Sequence, residues 1–229
     1  MLAAYNRLKP EAKNGSIFKD LRFEFLQYEP ANSTMENATK LEMGDVALCS
    51  LCQSYSKIRQ HRKIVFIADR DNADTNKKLS ETGRTFKDWG NNVFSLILPV
   101  PNSRKTTPNI CVEHMYSDET IKTFVTDEKT TYARRLYLGN EFDKRGISAS
   151  AGLVCERKNK CGKDSIAIIE GSNGERVTSL TDETINLALS KTDFANLILN
   201  CQKPFDNVNF ENFLELFLIL KEINCIDKK

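Results

Sequence analysis

Residues 63–69 read Lys-Ile-Val-Phe-Ile-Ala-Asp, and this run constrains the fold more than any other feature of the chain. Consecutive β-branched and aromatic side chains without polar alternation predict a strand covered on both faces, as in a parallel sheet packed between helices. A strand with one wet face would alternate. After it, a polar helix is expected from about Asp74 to Trp89, and Gly90-Asn91-Asn92 then leads into a second apolar strand, Val93 to Leu98, closed by Pro99 and Pro101. Strand, helix and strand in that order follow βαβ logic with a right-handed crossover. The expected fold class is therefore α/β, an open, mostly parallel sheet with helices on both faces.

The rest of the chain reads less regularly. Residues 2–9 predict a helix ended by Pro10, residues 21–28 alternate like a strand, and Met43, Ala47, Leu48, Leu51, Cys52, Tyr55 and Ile58 predict a helix over about 44–58. Ile110–Val112 reads as a short strand, Ser117 as the cap of a brief helix, and Arg134–Leu138 as a strand. Leu153–Glu156 and Ser165–Ile169 flank a turn rich in Lys, Asn and Gly and predict a β-hairpin. Helices are expected over 190–200 and 207–224, the latter with a wide apolar stripe of Phe210, Phe213, Leu214, Phe217, Leu220 and Ile223 that should cover the sheet. The expected organisation is a core over 1–116 and a C-terminal extension over 117–229, a β-hairpin plus two helices packed on that core.

Chemistry concentrates where the apolar run ends. Asp69-Arg70-Asp71-Asn72-Ala73-Asp74 places three carboxylates at the carboxyl end of a strand, where open α/β sheets bind ligands. Side chains two apart on a strand point the same way, so Asp69 and Asp71 can converge, and two close carboxylates repel unless a cation lies between them. Asp69, Asp71 and Asp74 are thus candidate metal ligands. Mg²⁺ or Mn²⁺ fits, because such ions take one or two carboxylates together with waters and substrate phosphates. The structural alternative makes Asp69 the cap of the following helix, with Asp71 and Asp74 as acids favoured by its dipole.

Ile64-Val-Phe-Ile-Ala-Asp-Arg-Asp71 resembles the Toprim domain, the metal-binding α/β module of topoisomerases, DnaG-type primases, recombination-mediator proteins and OLD-family nucleases. The resemblance covers roughly residues 1–115. It implies that Asp69 and Asp71 hold Mg²⁺ and that an earlier strand carries a glutamate acting as general acid/base or further ligand. Ile110-Cys-Val-Glu-His-Met-Tyr116 is similar to the Ile-Glu-aromatic segment that follows in OLD-like nucleases, which implies Glu113 as a catalytic carboxylate. The alternative for Glu113 is a surface residue beside a short strand. Lys191 is similar to a late lysine of some OLD-like nucleases, against a solvated helix-start lysine. The chain departs from the family in having no apolar strand ending in Glu-Gly before Lys63. That strand is expected either upstream of Met1 or lost, with Glu24 and Glu29 as fallback candidates and with another strand, a partner chain or a second copy of this one filling the gap.

Composition bounds the alternatives. The chain has 229 residues, long enough for a real core, with 33 Lys plus Arg against 31 Asp plus Glu, a net charge of +2. No global field draws in nucleic acid, so such binding must rest on local basic patches: Lys57, Arg59, Arg62 and Lys63; Arg134 and Arg135; Arg157, Lys158, Lys160 and Lys163. No apolar run is long enough to span a bilayer and residues 1–10 lack a secretory pattern, so the expected setting is the cytoplasm without membrane contact. Seven cysteines, an odd number, are expected to be reduced and mostly buried. A zinc site from Cys49, Cys52, Cys155 and Cys161 lacks the usual spacing. His61 and His114 are the two histidines, and the sequence shows no Ser-His-Asp or Cys-His arrangement for either.

Four functions are then expected in descending order. The first is a Toprim-like, Mg²⁺-dependent nuclease, and the second a non-catalytic Toprim-like module that binds nucleic acid or protein. The third is a haloacid-dehalogenase-type phosphatase, which would want Thr or Val where Ala73 stands and a later Asp-Asp pair that is missing here. The fourth is a DxD glycosyltransferase.

Overall fold

The structure is a computed structural model that describes residues 1–9, 17–18, 21–25, 29–30, 40–41, 45–126, 133–139, 142–143, 145–155, 167–169 and 176–226. The chain is mixed α/β. It divides into two compact units, Met1–Met115 with Phe210–Lys229, and Tyr116–Asn209. The final helix, grouped by sequence with the C-terminal extension, thus belongs to the first unit.

The first unit contains α1 (Leu2–Leu8), β1 (Glu29–Pro30), β2 (Lys40–Leu41), α2 (Asp45–Tyr55), β3 (Ile64–Ala68), α3 (Ala73–Leu79), β4 (Phe86–Gly90) and β5 (Val93–Ile97). Its main sheet has the order β3-β5-β4. β3 runs parallel to β5 in register from Ile64 opposite Val93 to Ala68 opposite Ile97, and β4 is antiparallel to β5. The apolar run at 64–68 is a strand, but among the described residues it lies at the edge of this sheet: Ile64 to Ile67 are half-buried, and the strand buried throughout is the middle one, β5. The polar stretch expected as one helix to Trp89 is split. Helix α3 ends at Leu79, where Ser80 is extended and its hydroxyl bonds Asn76 O at 2.6 Å. Asn91 and Asn92 then take left-handed φ of 53° and 66°, the geometry that joins two hydrogen-bonded strands by a two-residue turn, so residues 86–90 become a strand. Trp89 Nε1 donates across the hairpin to Ser95 Oγ at 2.8 Å.

One face of this sheet meets α2 and α3. Ala68, Ile97, Leu48, Cys52 and Leu79 form a buried cluster there, and Ser95 Oγ donates to Leu79 O at 2.6 Å. Phe94 points the other way, and Lys63 Nζ lies 6.0 Å from its ring. Lys63 also donates to Ile223 O (2.8 Å), Asn224 O (2.7 Å) and Ile226 O, the orphan carbonyls at the end of the last helix. At the far end of β3, the charge of Glu215, in the first turn of that helix, acts on Arg70. The helix therefore runs antiparallel to β3. Its 12 residues span about 18 Å, and Lys63 to Arg70 span roughly 23 Å. Its buried Phe217 joins Tyr5, Phe18 and Phe23 in an aromatic cluster with centroids 4.3–6.0 Å apart. The described part of the expected strand 21–28, residues 21–25, is not a strand; Phe23 instead stacks on Phe217. Residues 26–28 lie outside the described residues.

The second unit holds α4 (Asp118–Lys122), β6 (Val125–Thr126), β7 (Ala133–Arg134), β8 (Tyr137–Leu138), β9 (Ile147–Ser148), β10 (Leu153–Cys155), β11 (Ala167–Ile168), β12 (Val177–Ser179) and α5 (Lys191–Leu199). Ser117 and Ser190 cap the two helices by accepting from Thr120 N and Asp193 N. The expected hairpin does not form: β10 pairs with β9 and β12, while β11 pairs with β8. Cross-strand burial around Phe142, Leu153, Cys155 and Val177 selects those partners. The expected strand 134–138 is broken at Arg135, which bridges to Ala188. A 3₁₀ turn, Glu211–Phe213, then leads back in the first unit into α6 (Leu214–Cys225), the final helix.

Candidate functional site

The chain leaves the sheet at Ala68. Leu98 N still donates to Ala68 O at 3.1 Å, and two residues later Arg70 N donates to Ile110 O at 2.8 Å. A segment 40 residues downstream thus docks on the end of β3. Asp69 Oδ1 accepts from Val112 N at 3.0 Å, fixing both the aspartate rotamer and the 3₁₀ turn Val112–Met115. The short strand expected at 110–112 is replaced by this turn.

Alternation sends Arg70 the opposite way from Asp69. Its Nε donates to Leu98 O at 2.7 Å, and burial pulls its guanidinium below its ordinary pKa while Glu215 acts against that fall. Arg70 therefore pins β3 to the end of β5. Asp71 is exposed. The cap of α3 is Asn72, whose Oδ1 accepts from Asp74 N (3.0 Å) and Thr75 N (3.2 Å), so Asp69 does not serve as the cap. Asp74 sits exposed in the first turn of α3, where the dipole favours a carboxylate.

Glu113 is buried, only 6% exposed, in contrast to the surface residue one reading expected. Its charge reaches the Met1 α-amine, which burial pushes down to about 6 and Glu113 draws back up. Within the same turn lies a Cys-His pair, contrary to the expectation of no such arrangement for either histidine. Cys111 Sγ and Cys111 N both lie 3.1 Å from His114 Nδ1, so that nitrogen is the acceptor and the ring proton sits on Nε2. A Cys-x-x-His spacing within one tight turn was the signal for it.

The remaining candidates lie elsewhere. Glu24 is exposed and pairs with Arg62 at 3.3 Å, and Glu29 belongs to β1. Lys191 opens α5 in the second unit. Cys52 is buried in the α2 core, its thiol pushed up to about 12 by burial and then by Cys49; Cys155 belongs to the second unit and Cys161 lies outside the described residues. Among the described residues no three His, Cys, Asp or Glu side chains converge to hold a metal ion. Asp69 and Asp71 thus offer at most the one or two carboxylates that Mg²⁺ takes when phosphates and water complete its shell, and they fit that role alone. Comparison with protein-family models, with curated proteins and with solved structures finds no match to the chain.

Proposed function

We propose that this chain is a Toprim-like, cytoplasmic protein that acts on nucleic-acid phosphodiesters with Mg²⁺ or Mn²⁺ held by Asp69 and Asp71, the β3–β5 pair being the parallel part of a Toprim-like sheet. The observation that carries it is the Asp69–Val112 hydrogen bond at the end of a parallel strand, which sets one oxygen of Asp69 and draws the Glu113 turn to the same place. In this reading Asp69 and exposed Asp71 bind the ion through their carboxylates. Arg70, turned toward Leu98 O, keeps a cation out of that space. Bound Mg²⁺ would polarise a phosphoryl oxygen and orient the attacking water.

The test is cleavage of labelled DNA and RNA with Mn²⁺ or Mg²⁺, alongside calorimetric titration of the metal. Loss of both metal binding and cleavage in Asp71→Ala, with the fold unchanged, supports the reading; cleavage indifferent to Asp71 and to chelation sinks it. A second reading is a Toprim-like module that binds without cutting. It is favoured by the burial of Glu113, which keeps that carboxylate from solvent. Metal-dependent binding without cleavage would decide for it.

A further inference from the structure

The basic clusters of this near-neutral chain are used in different ways. Lys63 bonds the carbonyls at the end of α6. Arg135 is buried with its guanidinium 4.9–5.9 Å from the rings of Phe124, Tyr137 and Phe142, and Arg134 bonds Ala188 O and Asp193. Residues 157–163 lie outside the described residues. Lys57, Arg59, His61 and Arg62 remain, all exposed on the loop between α2 and β3, with no acidic residue among them. In their midst Ile58 is 71% exposed.

This loop is held still. Gln60 N donates to Asn91 O (3.0 Å), Asn91 Nδ2 to Ser56 O (2.6 Å) and Asn92 Nδ2 to Gln60 O (2.8 Å), which clamps it to the β4–β5 turn. Gln60 Nε2 reaches back to Tyr55 O and Ile58 O. Arg62 pairs with Glu24 at 3.3 Å, but both side chains are more than four-fifths exposed, so the pair is worth little and Arg62 can release it. The backbone that carries the cations and Ile58 is therefore fixed, with little backbone entropy left to lose on binding.

We propose that residues 56–62 form a nucleic-acid docking loop, in which Lys57, Arg59 and Arg62 contact backbone phosphates and Ile58 packs on a sugar or base face. The proposal rests on the reading above and adds where the polyanion is gripped. A repeating phosphate backbone can engage all three cations at once, and proteins that bind the minor groove frequently insert an apolar side chain beside such contacts. A lipid surface is a poorer fit, since three cations and one isoleucine fall short of the polybasic clusters and apolar faces that hold proteins there. The loop stands at the start of β3 and Asp69 at its end, roughly 20 Å away, a span of about six base-pair steps. One duplex lying along this strand would reach both.

The test is fluorescence anisotropy of labelled duplex DNA and duplex RNA with the full chain in EDTA, which silences any metal site, over 50–200 mM KCl. Three phosphate contacts predict a slope of log affinity on log salt of about −2.7. The triple variant Lys57→Ala, Arg59→Ala, Arg62→Ala should bind at least tenfold more weakly at low salt with a slope near zero, and Ile58→Ser should bind several-fold more weakly with the slope kept. Wild-type binding that the triple variant retains overturns the docking loop and leaves the phosphodiester reading standing. Metal-dependent cleavage without binding in EDTA does the same. Binding to phosphatidylserine vesicles but to neither duplex overturns the loop in favour of a lipid partner, and neither binding nor cleavage overturns both.

Discussion

Asp69 and Val112, 43 residues apart in the chain, are joined by a 3.0 Å hydrogen bond from the valine N–H to the aspartate carboxylate. This bond gives Asp69 a structural duty as well as a candidate chemical one. Asp69→Ala leaves the Val112 N–H without its acceptor and should cost about 1–3 kcal/mol in urea unfolding. Asp69→Asn keeps an acceptor oxygen and should recover most of that stability while losing calorimetric Mn²⁺ binding. If the two variants are equally unstable, the bond contributes through charge and not through geometry.

Asp71 has no such duty. Its exposure predicts that Asp71→Ala shifts stability by no more than about 0.5 kcal/mol. A larger loss in a melting experiment would mean that Asp71 packs against the fold and cannot be read through its chemistry alone.

Lys63 holds the end of α6 by its ammonium. Lys63→Met keeps the apolar stem and removes the donors to Ile223 O and Asn224 O, and should destabilise the protein by about 1–2 kcal/mol. Hydrogen exchange should show the loss first in the last turn of α6. Uniform loss of protection across the chain would assign Lys63 a wider role.

Cys52 sets a limit at alkaline pH. Its thiol is raised from 9.0 to about 12 by burial, with Cys49 adding to the rise, so between those values the unfolded chain releases a proton that the folded one keeps. The stabilisation is whole below pH 9 and is lost as pH climbs toward 12. Urea unfolding at pH 8 and pH 10 should show a steeper fall for the wild type than for Cys52→Val. Parallel falls would mean that Cys52 is reached by solvent in the folded state.

The elements legible in the sequence were those whose signals are local. The apolar run 64–68 announces a strand, Ser190 and the stripe after it a helix, and the Phe217 face a packed one. Pairing order is not local: nothing in residues 64–68 says that, among the described residues, β5 has strands on both sides and β3 on one. The Gly90-Asn91-Asn92 turn carried its meaning openly, and reading it as a link after a helix hid a strand. At the candidate site, the position of Asp69 to Asp74 after β3 follows from the run itself. The docking of Val112 and the burial of Glu113 depend on a contact across 43 residues, which only the folded chain displays.

The antiparallel alignment of α6 with β3 has a consequence for biosynthesis. The partners of Lys63 and Arg70 leave the ribosome only after the whole of Tyr116–Asn209. At about 5–20 residues per second that delay is on the order of 5–20 seconds. Throughout it, Lys63 and Arg70, at the two ends of β3, wait without the helix whose last carbonyls and first-turn charge they meet in the folded chain.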